Sequence, residues 1–104
     1  MGRVGPDRRR AQRFRIELRV EFVHGTGLTR DVSVGGMFFV TQQVFSPGDP
    51  LECALVFEHL HPDHPVRLHC RGQVVRVEQA DGHTGVAVAI TAYHVETPSY
   101  EGQA

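Results

Sequence analysis

Two short runs of the chain concentrate the residue types that handle a charged ligand. The first is Arg8-Arg9-Arg10-Ala11-Gln12-Arg13, in which Arg9 and Arg13 alone satisfy an RxxxR spacing. The second is Asp31-Val32-Ser33-Val34-Gly35-Gly36, a DxSxxG spacing. The 11 basic and 12 acidic residues nearly cancel, to a net charge of -1, yet they are unevenly placed. Residues 1–15 hold six arginines against Asp7, a net of +5, and the rest of the chain holds five arginines against eleven acids, a net of -6. A cationic arm of this kind suits a phosphate-bearing partner. Every cation is a guanidinium, a planar fork of donors rather than a point charge. Each run also has a plainer reading. The arginines can form a solvated basic arm, and Asp-x-Ser before glycines is a common Asx-type turn.

Other candidate chemistry is weaker. His59, His61 and His64 crowd a turn, and three imidazoles are in principle zinc or nickel ligands, but the plainer reading is a polar hairpin tip. Met37, Phe38 and Phe39 alternate along a strand, so at least one face of that run belongs to the core. Cys53 and Cys70 sit at apolar strand positions and read as two small buried hydrophobes rather than as a disulfide framework. Catalysis has no foothold. Ser33 is not in a GxSxG elbow, and the chain has no GxxxxGK[ST] loop, HExxH pair or convincing pair of carboxylates. The expectation is a binding protein, not an enzyme, with no metal.

The elements that must position these residues are strands. Residues 1–12 lack apolar periodicity and read as a flexible Arg-rich arm. From Phe14 to Phe22, Phe14, Ile16, Leu18, Val20 and Phe22 alternate with polar residues, the period of a strand with one buried face. His24-Gly25-Thr26-Gly27 reads as a turn, followed by strands over Leu28–Val32 and Met37–Val40. Ser46-Pro47-Gly48-Asp49 is a turn, and Leu51, Cys53, Leu55 and Phe57 alternate beyond it. After a turn at His61-Pro62-Asp63-His64, Val66, Leu68 and Cys70 alternate up to Gly72, which marks a bulge or corner. The run then continues through Val77. Asp81-Gly82 is a hairpin signal, and Val86, Val88 and Ile90 form the last strand. Ala92–Glu96 reads as a helical turn stopped by Pro98. About six short strands with local connections and no amphipathic helix predict an all-β fold, a six-stranded antiparallel β-barrel. One domain, residues 13–97, is flanked by the arm and by a tail over 98–104. No apolar run approaches the roughly 18 residues of a membrane helix. The Arg-rich start has no signal-like apolar segment, so the expected location is cytoplasmic.

The two runs, in this order on an all-β chain, resemble the PilZ domain family. The resemblance covers residues 8 to about 92. RRRAQR precedes the first strand and DVSVGGMFF leads into a following one, as in the family. Arg71-Gly72-Gln73-Val74-Val75-Arg76-Val77 and Gly85-Val86-Ala87-Val88 look like its late strands. The resemblance implies a receptor for cyclic di-GMP, with Arg8, Arg9, Arg10, Arg13, Asp31, Ser33 and Gly36 as ligand-binding residues. In that reading Arg9 and Arg13 grip phosphate oxygens, guanine O6 and N7, or a base face, with Arg8 and Arg10 as helpers. Asp31 accepts from the guanine N1–H and amino group. Ser33 contributes a hydroxyl, and Gly36, without a Cβ, lets the ligand lie against the backbone. The arm closes over the ligand and passes the signal to a downstream protein. The ligand binds as one molecule or as an intercalated pair. Motility, exopolysaccharide production and biofilm control are the family's usual settings. Two other readings stand beside this one: a PilZ-type protein-interaction module that binds no nucleotide, and a small barrel for single-stranded nucleic acid. The acidic barrel and the lack of an exposed aromatic run argue against the second.

Overall fold

Alternating apolar and polar residues fold the chain into six strands: β1 (Arg19–Phe22), β2 (Gly25–Ser33), β3 (Gly36–Thr41), β4 (Pro50–Phe57), β5 (Val66–Ala80) and β6 (His83–Val95). The computed structural model describes residues 12–61 and 63–96. All neighbouring strands are antiparallel, in the order β1-β2-β3-β6-β5-β4, and β1 returns to β4 through pairs such as Val20–Leu55 to close the barrel. Closure leaves no free sheet edge around the ring. The fold is thus the all-β, six-stranded antiparallel barrel that the alternation predicts. Among the described residues no helix is long and apolar enough to cross a membrane.

The inward positions of the strands make one core. Val20, Met37, Phe39, Leu55, Val74 and Val86 are each at most 1% exposed. Phe22, Phe39 and Phe45 pack edge-on or tilted, with ring centroids 5.3–6.0 Å apart, the geometry aromatic quadrupoles favour. Two turns form as read. At the β5–β6 hairpin Asp81 and Gly82 take φ of 43° and 83°, the paired positive values of a type I′ turn. Before β4, Asp49 Oδ2 accepts the Ser46 N–H at 2.8 Å and Asp49 N–H donates to the Ser46 carbonyl at 3.0 Å. The β5–β6 register slips beside Gly72, but the extra residue is on the partner strand: Arg71 pairs with Ala92 and Gly72 with Ile90, so Thr91 of β6 is the bulge.

Three sequence expectations need correction. Ala92–Val95 is not a helical turn, because Tyr93, His94 and Val95 continue β6 and pair with Cys70, His69 and Leu68. A long partner strand overrides the weak local signal there. The turn placed at His24–Gly27 is only Val23-His24, and β2 begins at Gly25, paired with Phe22. Gly27 sits inside that strand, paired with Val20, at a place where a Cβ would lie 2.7 Å from the Val40 carbonyl oxygen and 2.8 Å from the Phe39 ring. Finally, the alternation from Phe14 to Phe22 does not make one continuous buried strand. Regular pairing begins at Arg19, and Phe14 and Ile16 are 56% and 42% exposed.

Candidate ligand-binding site

The segment before β1 reaches the barrel through two attachments. Phe14 and Val32 exchange backbone hydrogen bonds of 2.7 and 3.0 Å as an isolated bridge. Four residues on, buried Thr29 takes over. Its Oγ1 accepts the Leu18 N–H at 2.9 Å and donates to the Ile16 carbonyl at 2.6 Å, while its own N–H donates to the Leu18 carbonyl at 2.9 Å. These bonds carry the basic residue next to Phe14 over to β2. Arg13 Nε and one Nη both donate to Asp31 Oδ1, at 2.9 and 2.5 Å. Both bonds fall on the same oxygen, so among the described residues Asp31 Oδ2 is left to accept another donor.

Asp31 faces outward because of a bulge. Thr29 pairs with Phe39, and both point into the core, but Asp31 pairs with Phe38, so Arg30 is an extra residue on β2. Successive strand residues alternate faces, so in a regular strand Asp31, two residues on from Thr29, would share its inward face; the bulge at Arg30 turns it outward. β5 repeats the device. Val74, 1% exposed, pairs with Val88, and Arg76 pairs with Ala87, which leaves Val75 as the extra residue and turns Arg76 outward. Arg76 Nε donates to Glu78 Oε2 at 3.0 Å on the same face.

Between these two charged edges lies the outer face of β3 and β6. It carries Gly36, Ala87 and Ala89, side chains no larger than a methyl, and one ring, Phe38, which lies over Gly85. Small residues flanked by long charged ones leave a trough. Its cavity of about 560 Å³ is lined by Arg13, Asp31, Gly35, Gly36 and Phe38 on one side and Val75, Arg76 and Glu78 on the other. Such a floor lets a flat group rest against backbone, with a guanidinium and a carboxylate at each rim.

The sequence-derived residues fare differently here. Arg13, Asp31 and Gly36 meet at the cavity. Ser33 does not line it: the residue is 8% exposed, and its hydroxyl donates to the Gly36 carbonyl at 3.3 Å, fastening the β2–β3 hairpin. Gly36 is demanded by the fold itself, since a Cβ would lie 2.7 Å from the Val88 carbonyl oxygen. Arg8, Arg9 and Arg10 lie outside the described residues. Arg76, Glu78 and Phe38 are additions that the motifs do not contain. The histidine cluster is a hairpin tip. The His61 and His64 rings stack at 4.0 Å, and His61 Nδ1 accepts the Asp63 N–H at 3.1 Å. Among the described residues no three His, Cys, Asp or Glu side chains converge as metal ligands.

The profile of the PilZ domain matches residues 7–98. The chain belongs to the PilZ domain family. No curated protein matches it in sequence. Among solved structures, this PilZ domain is similar to the Bacillus subtilis inhibitor of motility (MotI/DgrA), with a TM-score of 0.68 at 17% identity. The similarity covers 84% of this chain and 44% of that one, so the chain spans less than half the length of that relative, and at this identity the likeness is one of fold. The family match includes both runs singled out in the sequence, and the fold brings the end of the first, Arg13, onto the start of the second, Asp31.

Proposed function

We propose that this PilZ domain binds cyclic di-GMP across the outer face of β3 and β6. The observation that carries the reading is the Arg13–Asp31 pair at the rim of a cavity floored by Gly36, Ala87 and Ala89. A guanine presents O6 and N7 acceptors and an N1–H and amino donor edge. Arg13 supplies a fork for the acceptors or for a phosphate, and Asp31 Oδ2 accepts from the donor edge. Arg8, Arg9 and Arg10 bring further positive charge from the arm, and Arg9 completes the RxxxR pair. Arg76 adds a guanidinium at the opposite rim. Gly36 keeps the floor flat, and Ser33 acts by holding the hairpin that presents Gly35 and Gly36.

Ligand binding then orders the arm over the cavity, and the ordered arm and the covered barrel face form the surface that a downstream protein reads. The domain acts as a receptor rather than a catalyst, and the reading carries the cytoplasmic location expected from the sequence. A micromolar complex needs roughly 8 kcal/mol, and each charge-assisted hydrogen bond contributes about 1.5–3 kcal/mol. A handful of such contacts therefore suffices after the cost of ordering the arm.

The test is saturation binding of a fluorescent cyclic di-GMP to the whole chain, challenged with excess GTP or with single-stranded DNA. Displacement by unlabelled cyclic di-GMP alone supports the reading. Displacement by single strands in a salt-sensitive manner points to a nucleic-acid barrel instead, and no saturable binding leaves the protein-interaction role. The saturating ratio decides between one ligand and an intercalated pair.

A further inference from the structure

Cys53 on β4 and Cys70 on β5 are direct cross-strand partners, and both side chains are buried, at 7% and 5% exposure. Opposed residues of an antiparallel pair have Cα atoms about 4.5–5.5 Å apart, inside the roughly 4.4–6.8 Å span of a disulfide. The two thiols occupy opposed positions in one buried cluster, and the Cys70 S–H donates to the Leu68 carbonyl at 3.7 Å. Both side chains belong to the barrel core. Both cysteines line an open cavity of about 620 Å³, distinct from the ligand trough, whose walls include Arg67, His69, Arg71 and His94. His69 and Arg71 alternate with Cys70 along β5, so these walls stand on the outer face and the sulfurs face the core behind the strands, accessible only through the 5–7% of their residues' surface left exposed.

We infer that Cys53 and Cys70 form an oxidisable dithiol that closes to an intramolecular disulfide between β4 and β5 when a peroxide reaches the pair. The Cys70 thiolate attacks one peroxide oxygen; the S–O bond forms, the O–O bond breaks, and hydroxide leaves and is protonated to water. Cys53 then attacks the Cys70 sulfenic sulfur; the S–S bond forms, the S–O bond breaks, and the departing hydroxide takes the Cys53 proton as water. Two thiols and one hydrogen peroxide give one disulfide and two waters.

The local chemistry assigns the order of attack. Once Cys70 ionises, the Cys53 S–H donates to its thiolate; that hydrogen bond, then burial, then repulsion from the Cys70 charge push the Cys53 thiol up. The same hydrogen bond lowers Cys70, against burial. Cys70 is therefore the sulfur that ionises and attacks, and Cys53 is the resolving thiol. Opposed Cβ atoms stand about 4.5–5.5 Å apart and a disulfide draws them to about 3.8 Å, so closure pulls the two strands together and leaves a bond that dithiols reopen readily.

The experiment treats the native full chain with hydrogen peroxide, blocks remaining thiols with an alkylating reagent, and maps the products by mass spectrometry. The inference expects a mass loss of two hydrogens, a linked peptide pair containing Cys53 and Cys70, and recovery of both thiols with dithiothreitol. In Cys53→Ser, Cys70 should stop as a sulfenic acid that dimedone traps; in Cys70→Ser, Cys53 should react at least tenfold more slowly. Native wild-type protein that keeps both thiols where the urea-unfolded chain loses them would overturn it. So would chains linked between molecules, or sulfinic acid with no Cys53–Cys70 peptide. The wild-type map stands whether or not the serine variants fold.

Discussion

Asp31 on β2 and Arg76 on β5 face the same cavity because each follows a bulge of one residue, Arg30 in one strand and Val75 in the other. The two bulges sit on either side of β3 and β6. They reset the alternation where it would have sent a charge into the core. Bulges characteristically re-aim side chains beside functional sites, and here a matched pair sets an acceptor and a guanidinium at opposite rims of a floor of small residues.

Arg76 is the rim residue that the family motifs do not name, so it tests whether the ligand spans the whole trough. Arg76→Ala should weaken cyclic di-GMP by roughly tenfold, the loss of one charge-assisted contact. Its Glu78 pair is exposed at 61% and 55%, so stability should change by less than about 1 kcal/mol. An unchanged affinity would confine the ligand to the Arg13–Asp31 side.

Thr29 tests how the arm is anchored. Thr29→Val keeps the shape but strips the Leu18 N–H and the Ile16 carbonyl of their shared partner. Leaving such part-buried groups unpaired costs about 1–3 kcal/mol, and in a chain of this size each kcal/mol lowers Tm by roughly 4–8 °C. Thermal unfolding followed by circular dichroism measures it. Weaker ligand binding should accompany the loss, since Thr29 holds the segment that delivers Arg13.

Gly35 and Gly36 should separate cleanly. A Cβ on Gly36 meets the Val88 carbonyl at 2.7 Å, so Gly36→Ala should cost about 1–3 kcal/mol through a strand shift. A Cβ on Gly35 meets nothing within 4 Å. Gly35→Ala should therefore hold or raise Tm, by about 0.4–1 kcal/mol of stability from the less flexible unfolded chain. Any fall in ligand affinity in that variant then reports contact at the trough's mouth.

Acid should act through Glu96. Its hydrogen bond with His69, 2.6 Å, holds the Glu96 carboxyl below the ordinary glutamate range. A carboxyl lowered on folding contributes stability that is present above its unfolded value, about 4.3, and that disappears as pH falls through the lower folded value. The difference in Tm between wild type and Glu96→Gln should thus be small but measurable at pH 5 and vanish on acidification towards pH 3. A difference that grows with acid would contradict the sign.

Much of the barrel is legible in the sequence because alternation and turn chemistry are local. Leu51, Cys53 and Leu55 alternate into the core, and Asp81-Gly82 supplies the positive φ pair that its hairpin needs. What stays hidden is non-local. Arg30 and Val75 are ordinary strand residues with no glycine or proline to mark a bulge, so the outward turn of Asp31 and Arg76 emerges only from the register with β3 and β6. Ser33 looks like a ligand contact in a motif, yet its partner is a carbonyl three residues away. The tail of β6 reads as helix because its residues lie beyond the core, where only pairing with β5 keeps them extended.

The most direct measurement is calorimetric titration of cyclic di-GMP into the wild type and into Arg13→Ala and Asp31→Ala, with Tm recorded for each. Because the Arg13 and Asp31 side chains are 53% and 27% exposed, their pairing contributes little to stability, and the variants should stay folded within about 1 kcal/mol of the wild type. The account predicts saturable wild-type binding that each substitution weakens by roughly ten- to a hundredfold. Wild-type protein that releases no heat, or variants that bind as tightly as wild type, would contradict it.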